Sequence, residues 1–76
     1  MEDKLLDLIA EICDTDDVRE HRDADLFAAG LLDSLGAIDL LIEIEDAFGI
    51  SIAPTELERE EMNTVDKIIA RVQERL

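Results

Sequence analysis

Hydrophobic residues recur at helical intervals in three segments of the chain, and polar or acidic residues separate these segments. The first segment predicts a helix from about Asp3 to Cys13. Its apolar positions are Leu5, Leu6, Leu8, Ile9 and Ile12. The last segment predicts a helix with Thr64 as its N-cap. Its core-facing stripe is Val65, Ile68, Ile69, Val72 and Leu76.

The middle segment predicts a second helix that has two apolar faces. It should begin at Asp33 or Ser34 and end near Phe48 and Gly49, because Asp and Ser are favoured N-caps and Gly favours a helix stop. At about 100° per residue, one side holds a core face: Ala37, Leu40, Leu41, Ile44, Ala47 and Phe48. The opposite side holds a second stripe of Leu35, Ile38 and Ile42. Asp39, Glu45 and Asp46 interleave with this stripe, and such a pattern is typical of a protein-docking surface.

The connections between these helices are predicted to differ in length. Residues 14–32 lack a clean period and predict a long first loop. The residues that would pin this loop to the core are Leu26, Phe27, Leu31 and Leu32. Ile50–Ile52 predicts a short extended piece, and Thr55 followed by Glu58 fits a capping box that would open a short third helix from about Thr55 to Arg59. The chain of 76 residues should therefore form one all-α domain, residues 1–76, a four-helix bundle with a short third helix.

Net charge restricts the possible partners. The chain carries 21 acidic residues against 7 Lys and Arg, for a formal charge of −14. Nucleic acids and anionic lipid surfaces would repel such a chain, so no nucleic-acid binding and no direct lipid binding are expected, and a basic protein patch is the natural partner.

Cys13 is alone, which excludes an internal disulfide, and the apolar runs are too short to span a bilayer. We expect a monomer in the cytoplasm.

Metal binding is not predicted. The acidic loop from Asp14 to Asp25 has the composition of a calcium loop. An EF-hand, however, needs Gly at its sixth position and Glu at its twelfth, and Arg19 and Asp25 occupy those places. A solvated acidic loop is the simpler interpretation.

Ser34 is the candidate functional residue, and three interpretations compete for it. A catalytic nucleophile would need a base, but the only histidine is His21, and the residues around Ser34 do not form a nucleophile elbow. An N-cap is the commonest role for a serine at a helix start. The third interpretation is an attachment point for a phosphodiester, since a helix N-terminus favours an anion.

The segment from Gly30 to Leu41, Gly-Leu-Leu-Asp-Ser-Leu-Gly-Ala-Ile-Asp-Leu-Leu, resembles the attachment motif of acyl and peptidyl carrier proteins. The resemblance implies an acyl-carrier-type bundle that is not an enzyme itself. It implies that a separate phosphopantetheinyl transferase attaches 4′-phosphopantetheine from coenzyme A to Ser34, with Asp33 as the flanking motif residue. It also implies a partner-binding region: Leu35, Ile38, Asp39, Ile42 and Glu43.

Within that superfamily, Gly36 and the stretch from Glu58 to Thr64 resemble the D-alanyl carrier proteins of lipoteichoic acid modification. The implied partners are an AMP-forming D-alanine ligase and a membrane O-acyltransferase. Leu35, Met62 and Val65 depart from residues common in those proteins. A fatty-acid or polyketide carrier and another free-standing aminoacyl carrier therefore stay open, as does an unmodified acidic adaptor in which Ser34 is only a cap.

Overall fold

The computed structural model describes residues 1–76 and consists of three α-helices joined by two irregular connections. The helices are α1 (Glu2–Cys13), α2 (Ser34–Phe48) and α3 (Val65–Gln73). Each connection contains one 3₁₀ turn, Asp16–Arg19 in the first loop and Arg59–Glu61 in the second. Helix α1 packs against both α2 and α3. The all-α class is confirmed, and no helix is long and apolar enough to cross a membrane.

The helix ends follow the capping residues that the sequence predicts. The Asp33 carboxylate accepts a hydrogen bond from the Gly36 N–H at 2.7 Å and caps α2. Gly49 ends this helix in the left-handed conformation, with φ of 67°, which glycine adopts without a steric penalty. Thr64 caps α3 by accepting from the Lys67 N–H at 3.1 Å. These caps fix where the second loop begins and where it ends.

The core is entirely aliphatic apart from sulfur-containing side chains. The most deeply buried residues come from all three helices and from both loops: Leu5, Ile9, Val18, Leu26, Leu40, Ile44, Ile52, Val65 and Val72. The first loop is pinned as predicted by buried Leu26 and Leu32, with Phe27 and Leu31 half-buried against the core. Leu76 was predicted to extend the α3 stripe, and this is wrong, since α3 ends at Gln73 and Leu76 is 64% exposed.

The predicted short third helix, from about Thr55 to Arg59, is also wrong, so the structure has three α-helices and not four. Residues 54–56 form a turn, and the only helical geometry between α2 and α3 is the single 3₁₀ turn Arg59–Glu61. An α-helix from Thr55 would put Glu56 and Glu60 four residues apart on one face, where like charges repel. So short a helix also gains too few hydrogen bonds to offset the cost of nucleation. The segment instead reaches along the surface and packs Leu57 partly against the core.

Candidate functional site

Ser34 is the first residue of α2 and its side chain is exposed. The sequence left either Asp33 or Ser34 as the N-cap, and the structure assigns that role to Asp33. Because the Asp33 carboxylate already accepts a hydrogen bond from the Gly36 N–H, the Ser34 hydroxyl is not needed to cap the helix. The hydroxyl therefore stands at the positive end of the helix dipole, where it can carry an anionic group.

Gly36 allows the chain to pack closely around this helix start. A Cβ atom at Gly36 would lie 3.2 Å from Asp33 Oδ1 and 3.3 Å from Leu32 Cδ1. Such distances are shorter than ordinary van der Waals contact, so any side chain here would press on the cap and on a buried leucine. Glycine at this position thus preserves both the capping carboxylate and the packing of the loop that leads to Ser34.

A groove of about 210 Å³ lies beside Ser34, between α2 and the second loop. Apart from Ser34 and Arg59, its walls are apolar: Phe27, Ala37, Ile38, Leu41, Pro54, Leu57 and Met62. The lining contains no histidine and no carboxylate that could activate the hydroxyl. His21 is exposed on the first loop and does not line this groove. A nucleophilic role for Ser34 would need a base and an orienting group, and this lining provides neither.

The rim of the groove is formed by Phe27 and Arg59, whose guanidinium carbon lies 4.6 Å from the Phe27 ring centroid. Asp25 holds this part of the first loop, since its carboxylate accepts from the Phe27 N–H at 3.0 Å and from the Asn63 side-chain amide at 3.1 Å. The Leu26 N–H also donates to the Asn63 carbonyl at 2.7 Å. These contacts join the two loops on either side of the groove.

Sequence reasoning missed this connection between the loops. The spacing Asp25-x-Phe27 is compatible with an Asx turn, in which the carboxylate accepts from a backbone N–H two residues later. That signal would have identified Asp25 as a turn residue. No periodic pattern could have paired it with Asn63, which lies 38 residues further along the chain.

The second apolar stripe on α2 is exposed, as its position on the helix predicts. Leu35, Ile38 and Ile42 are 76%, 40% and 52% exposed and follow Ser34 along the helix. Asp39 is exposed beside them. Glu43 differs, because it is half-buried and its Oε2 atom is inaccessible and has no hydrogen-bond partner. The structure thus brings four of the five predicted partner-binding residues to one accessible surface, and their role in binding stays a prediction.

A family profile described as "Phosphopantetheine attachment site" matches residues 3–72. Several relatives are named D-alanyl carrier protein, and three of them illustrate the similarity. The one from Lactococcus lactis subsp. cremoris strain MG1363 is 51% identical over 75 residues, which cover 99% of this chain and 95% of the relative. Those from Bacillus velezensis strain DSM 23117 and Bacillus subtilis strain 168 are 44% and 41% identical over 71 residues, covering 93% of this chain and 91% of each relative.

This chain belongs to the phosphopantetheine-attachment family of carrier proteins. The resemblance predicted from the sequence is therefore confirmed, and it extends over nearly the whole domain. The family description and the names of these relatives support a carrier role for this chain.

The residues near Ser34 are compatible with the prosthetic group that the family implies. The carrier protein has an exposed hydroxyl that is free of the capping role, a helix N-terminus that favours a phosphodiester, and one cation, Arg59, in the adjoining groove.

Proposed function

We propose that Ser34 is the attachment residue for 4′-phosphopantetheine and that the loaded carrier delivers D-alanine for lipoteichoic acid D-alanylation. The observation that carries the attachment proposal is that the residue which caps α2 is not the residue which presents the hydroxyl. Asp33 caps the helix, and this leaves Ser34 exposed and uncommitted at an anion-favouring position. The D-alanyl cargo is supported by the names of the relatives at 41–51% identity.

The arm, when attached, supplies a thiol that holds the cargo as a thioester. The carrier protein contributes the anchor and the surface that partner enzymes recognise. Because Leu35 directly follows Ser34, a partner that binds the exposed stripe is brought next to the attachment point. Tethering then raises the local concentration of cargo at the partner's active site.

Three partner classes would use this carrier in turn: a phosphopantetheinyl transferase, an AMP-forming D-alanine ligase and a membrane O-acyltransferase. One surface has to serve all of them, so each contact should be weak and exchangeable. With a formal charge of −14, association with basic partner surfaces should be electrostatically steered and should slow as salt is raised.

Intact-protein mass spectrometry tests the attachment proposal. The carrier is incubated with coenzyme A and a transferase of broad specificity, and we expect the wild type to gain the mass of one phosphopantetheine arm. Ser34→Ala should gain none, and Asp33→Asn, which keeps an oxygen acceptor for the Gly36 N–H, should still be modified. An unmodified wild type would refute the proposal and would favour an acidic adaptor.

A loading assay tests the cargo. The modified carrier is given ATP and a D-alanine-activating ligase, and the thioester is detected by mass and by its release with hydroxylamine. We expect D-alanine to load and L-alanine to load poorly. If a fatty acyl synthetase loads the carrier and the D-alanine ligase does not, the D-alanyl assignment is wrong, although the carrier role still stands.

A further inference from the structure

Arg59 is unlike the other arginines of the chain because it has no carboxylate partner. The remaining four arginines each form at least one ion pair: Arg19, Arg22, Arg71 and Arg75. Arg59 lies between Glu58 and Glu60 in a chain with 21 acidic residues, so pairing would be expected by composition alone.

Arg59 contacts the Phe27 ring, and the nearby Glu61 carboxylate is occupied by another donor. The guanidinium lies over the Phe27 ring, which attracts it by a cation–π interaction and holds it at the groove. The Glu61 carboxylate, three residues from Glu58, accepts from the Glu58 N–H at 3.1 Å and so contributes to the 3₁₀ turn. A guanidinium over an aromatic face keeps the N–H donors at its edge available for another anion.

The lining of the groove indicates which anion Arg59 would bind. Arg59 and Ser34 line the same groove, and Arg59 is the only cationic residue in that lining. No Lys, Arg or His occurs in the sequence between Arg22 and Arg59. A phosphodiester at Ser34 would add a negative charge next to Asp33, and Arg59 is the one groove residue able to compensate for it.

We propose that Arg59, held on the Phe27 ring, pairs with the phosphodiester of an arm attached at Ser34 and so directs the first part of the arm toward the groove. This inference rests on the proposed attachment at Ser34. Arg59 acts as a positioning residue, because it would contact the phosphate and not the thiol end where the cargo is carried. Arginine suits this role, since its planar donors match phosphate oxygens in pairs.

Nuclear magnetic resonance of the modified carrier tests the pairing directly. On attachment of the arm, we expect the Nε–Hε signal of Arg59 to shift, while that of Arg19, which lines a different cleft, stays in place. The ³¹P signal of the phosphodiester should differ between the wild type and Arg59→Gln, and Arg59→Lys should give an intermediate value. High salt should bring the three ³¹P signals together.

A thermal cycle gives an independent readout. The midpoint of unfolding is measured before and after attachment in the wild type, in Arg59→Gln and in Arg19→Gln, which carries the same charge change. The change in midpoint on attachment should be about 1–5 °C less favourable in Arg59→Gln than in the wild type. The change on attachment in Arg19→Gln should match the wild type, because any damage to its ion pairs is present in both forms.

The outcomes separate this inference from the proposed function. If the wild type gains the arm but the Arg59 Nε–Hε signal and the ³¹P signals do not respond, the pairing is refuted and attachment is unaffected. If the wild type gains no arm, attachment itself is refuted. An Arg19→Gln response equal to that of Arg59→Gln would show a general charge effect and would also overturn the pairing.

Discussion

Glu45 offers a sharp test of how α2 positions the second loop. Its Oε1 atom accepts a hydrogen bond from the Ile52 N–H at 2.9 Å, and the Ile52 residue is only 1% exposed. The bond connects the last turn of α2 to the segment that leads into the groove wall at Pro54 and Leu57. Replacing Glu45 by Ala removes the acceptor and leaves the Ile52 N–H without this partner.

The expected cost can be worked out from the charge and burial of this bond. A hydrogen bond with a charged acceptor, lost so that a poorly accessible donor stays unpaired, costs about 1–3 kcal/mol of unfolding free energy. In a domain of this size that corresponds to a fall in Tm of about 5–20 °C. Glu45→Gln keeps an oxygen acceptor and should cost about 1 kcal/mol or less.

The comparison of the two variants removes the effect of net charge. Both Glu45→Ala and Glu45→Gln remove one negative charge from the formal charge of −14, so relief of self-repulsion is the same in each. Urea and thermal unfolding followed by circular dichroism give the two free energies. Asp46→Ala, at an exposed neighbour, makes the same charge change and should stay within about 0.5 kcal/mol of the wild type. Equal stabilities of the Ala and Gln variants would refute the reasoning.

Four further outcomes test the core, the cap, the thiol and the docking stripe. Ile44→Val at a fully buried position should cost about 0.5–1.5 kcal/mol in urea unfolding. Asp33→Ala should cost about 1 kcal/mol, and Asp33→Asn less, because only the first removes the oxygen acceptor from α2. Burial raises the pKa of the Cys13 thiol, so as the pH rises this thiol ionises in the unfolded chain before it ionises in the folded one. Stability should then fall with rising pH, and Cys13→Ala should remove that component. Ile42→Ala should lower kcat/KM for loading while Tm changes by less than about 4 °C, because its side chain is exposed.

The parts of the fold that could be predicted are those encoded by local signals. The bounds of α2 follow from Asp33 and Gly49, because the Asp33 carboxylate caps a backbone N–H three residues later and Gly49 acts through its own backbone conformation. Neither residue needs a distant partner. The buried face of this helix also follows from the helical spacing of its apolar residues. The short third helix was a wrong prediction because a capping pattern says nothing about whether enough turns follow it to offset nucleation.

The contacts that shape the candidate site could not be predicted, because they join residues far apart in the sequence. Asn63 binds Asp25 across 38 positions, and Arg59 reaches Phe27 from the other loop. Glu45 lies among residues that looked exposed by helical projection, yet it turns toward the backbone of Ile52 and is half-buried. Side chains with several rotatable bonds can leave the face that a projection assigns to them, which is why helical period alone misplaces long polar residues.

The exposed stripe on α2 contributes little to folding, and this is consistent with the docking role proposed for it. Burying a side chain such as Leu35 or Ile42 would contribute about 1.5–3 kcal/mol, a large fraction of the stability expected for a domain of 76 residues. The chain instead leaves both residues more than half exposed beside Ser34. Polar replacements would not sacrifice any core packing, so folding alone does not account for aliphatic residues here. Their position next to the candidate attachment residue is explained if this apolar surface, left exposed in the fold, is buried in brief contacts with partner enzymes.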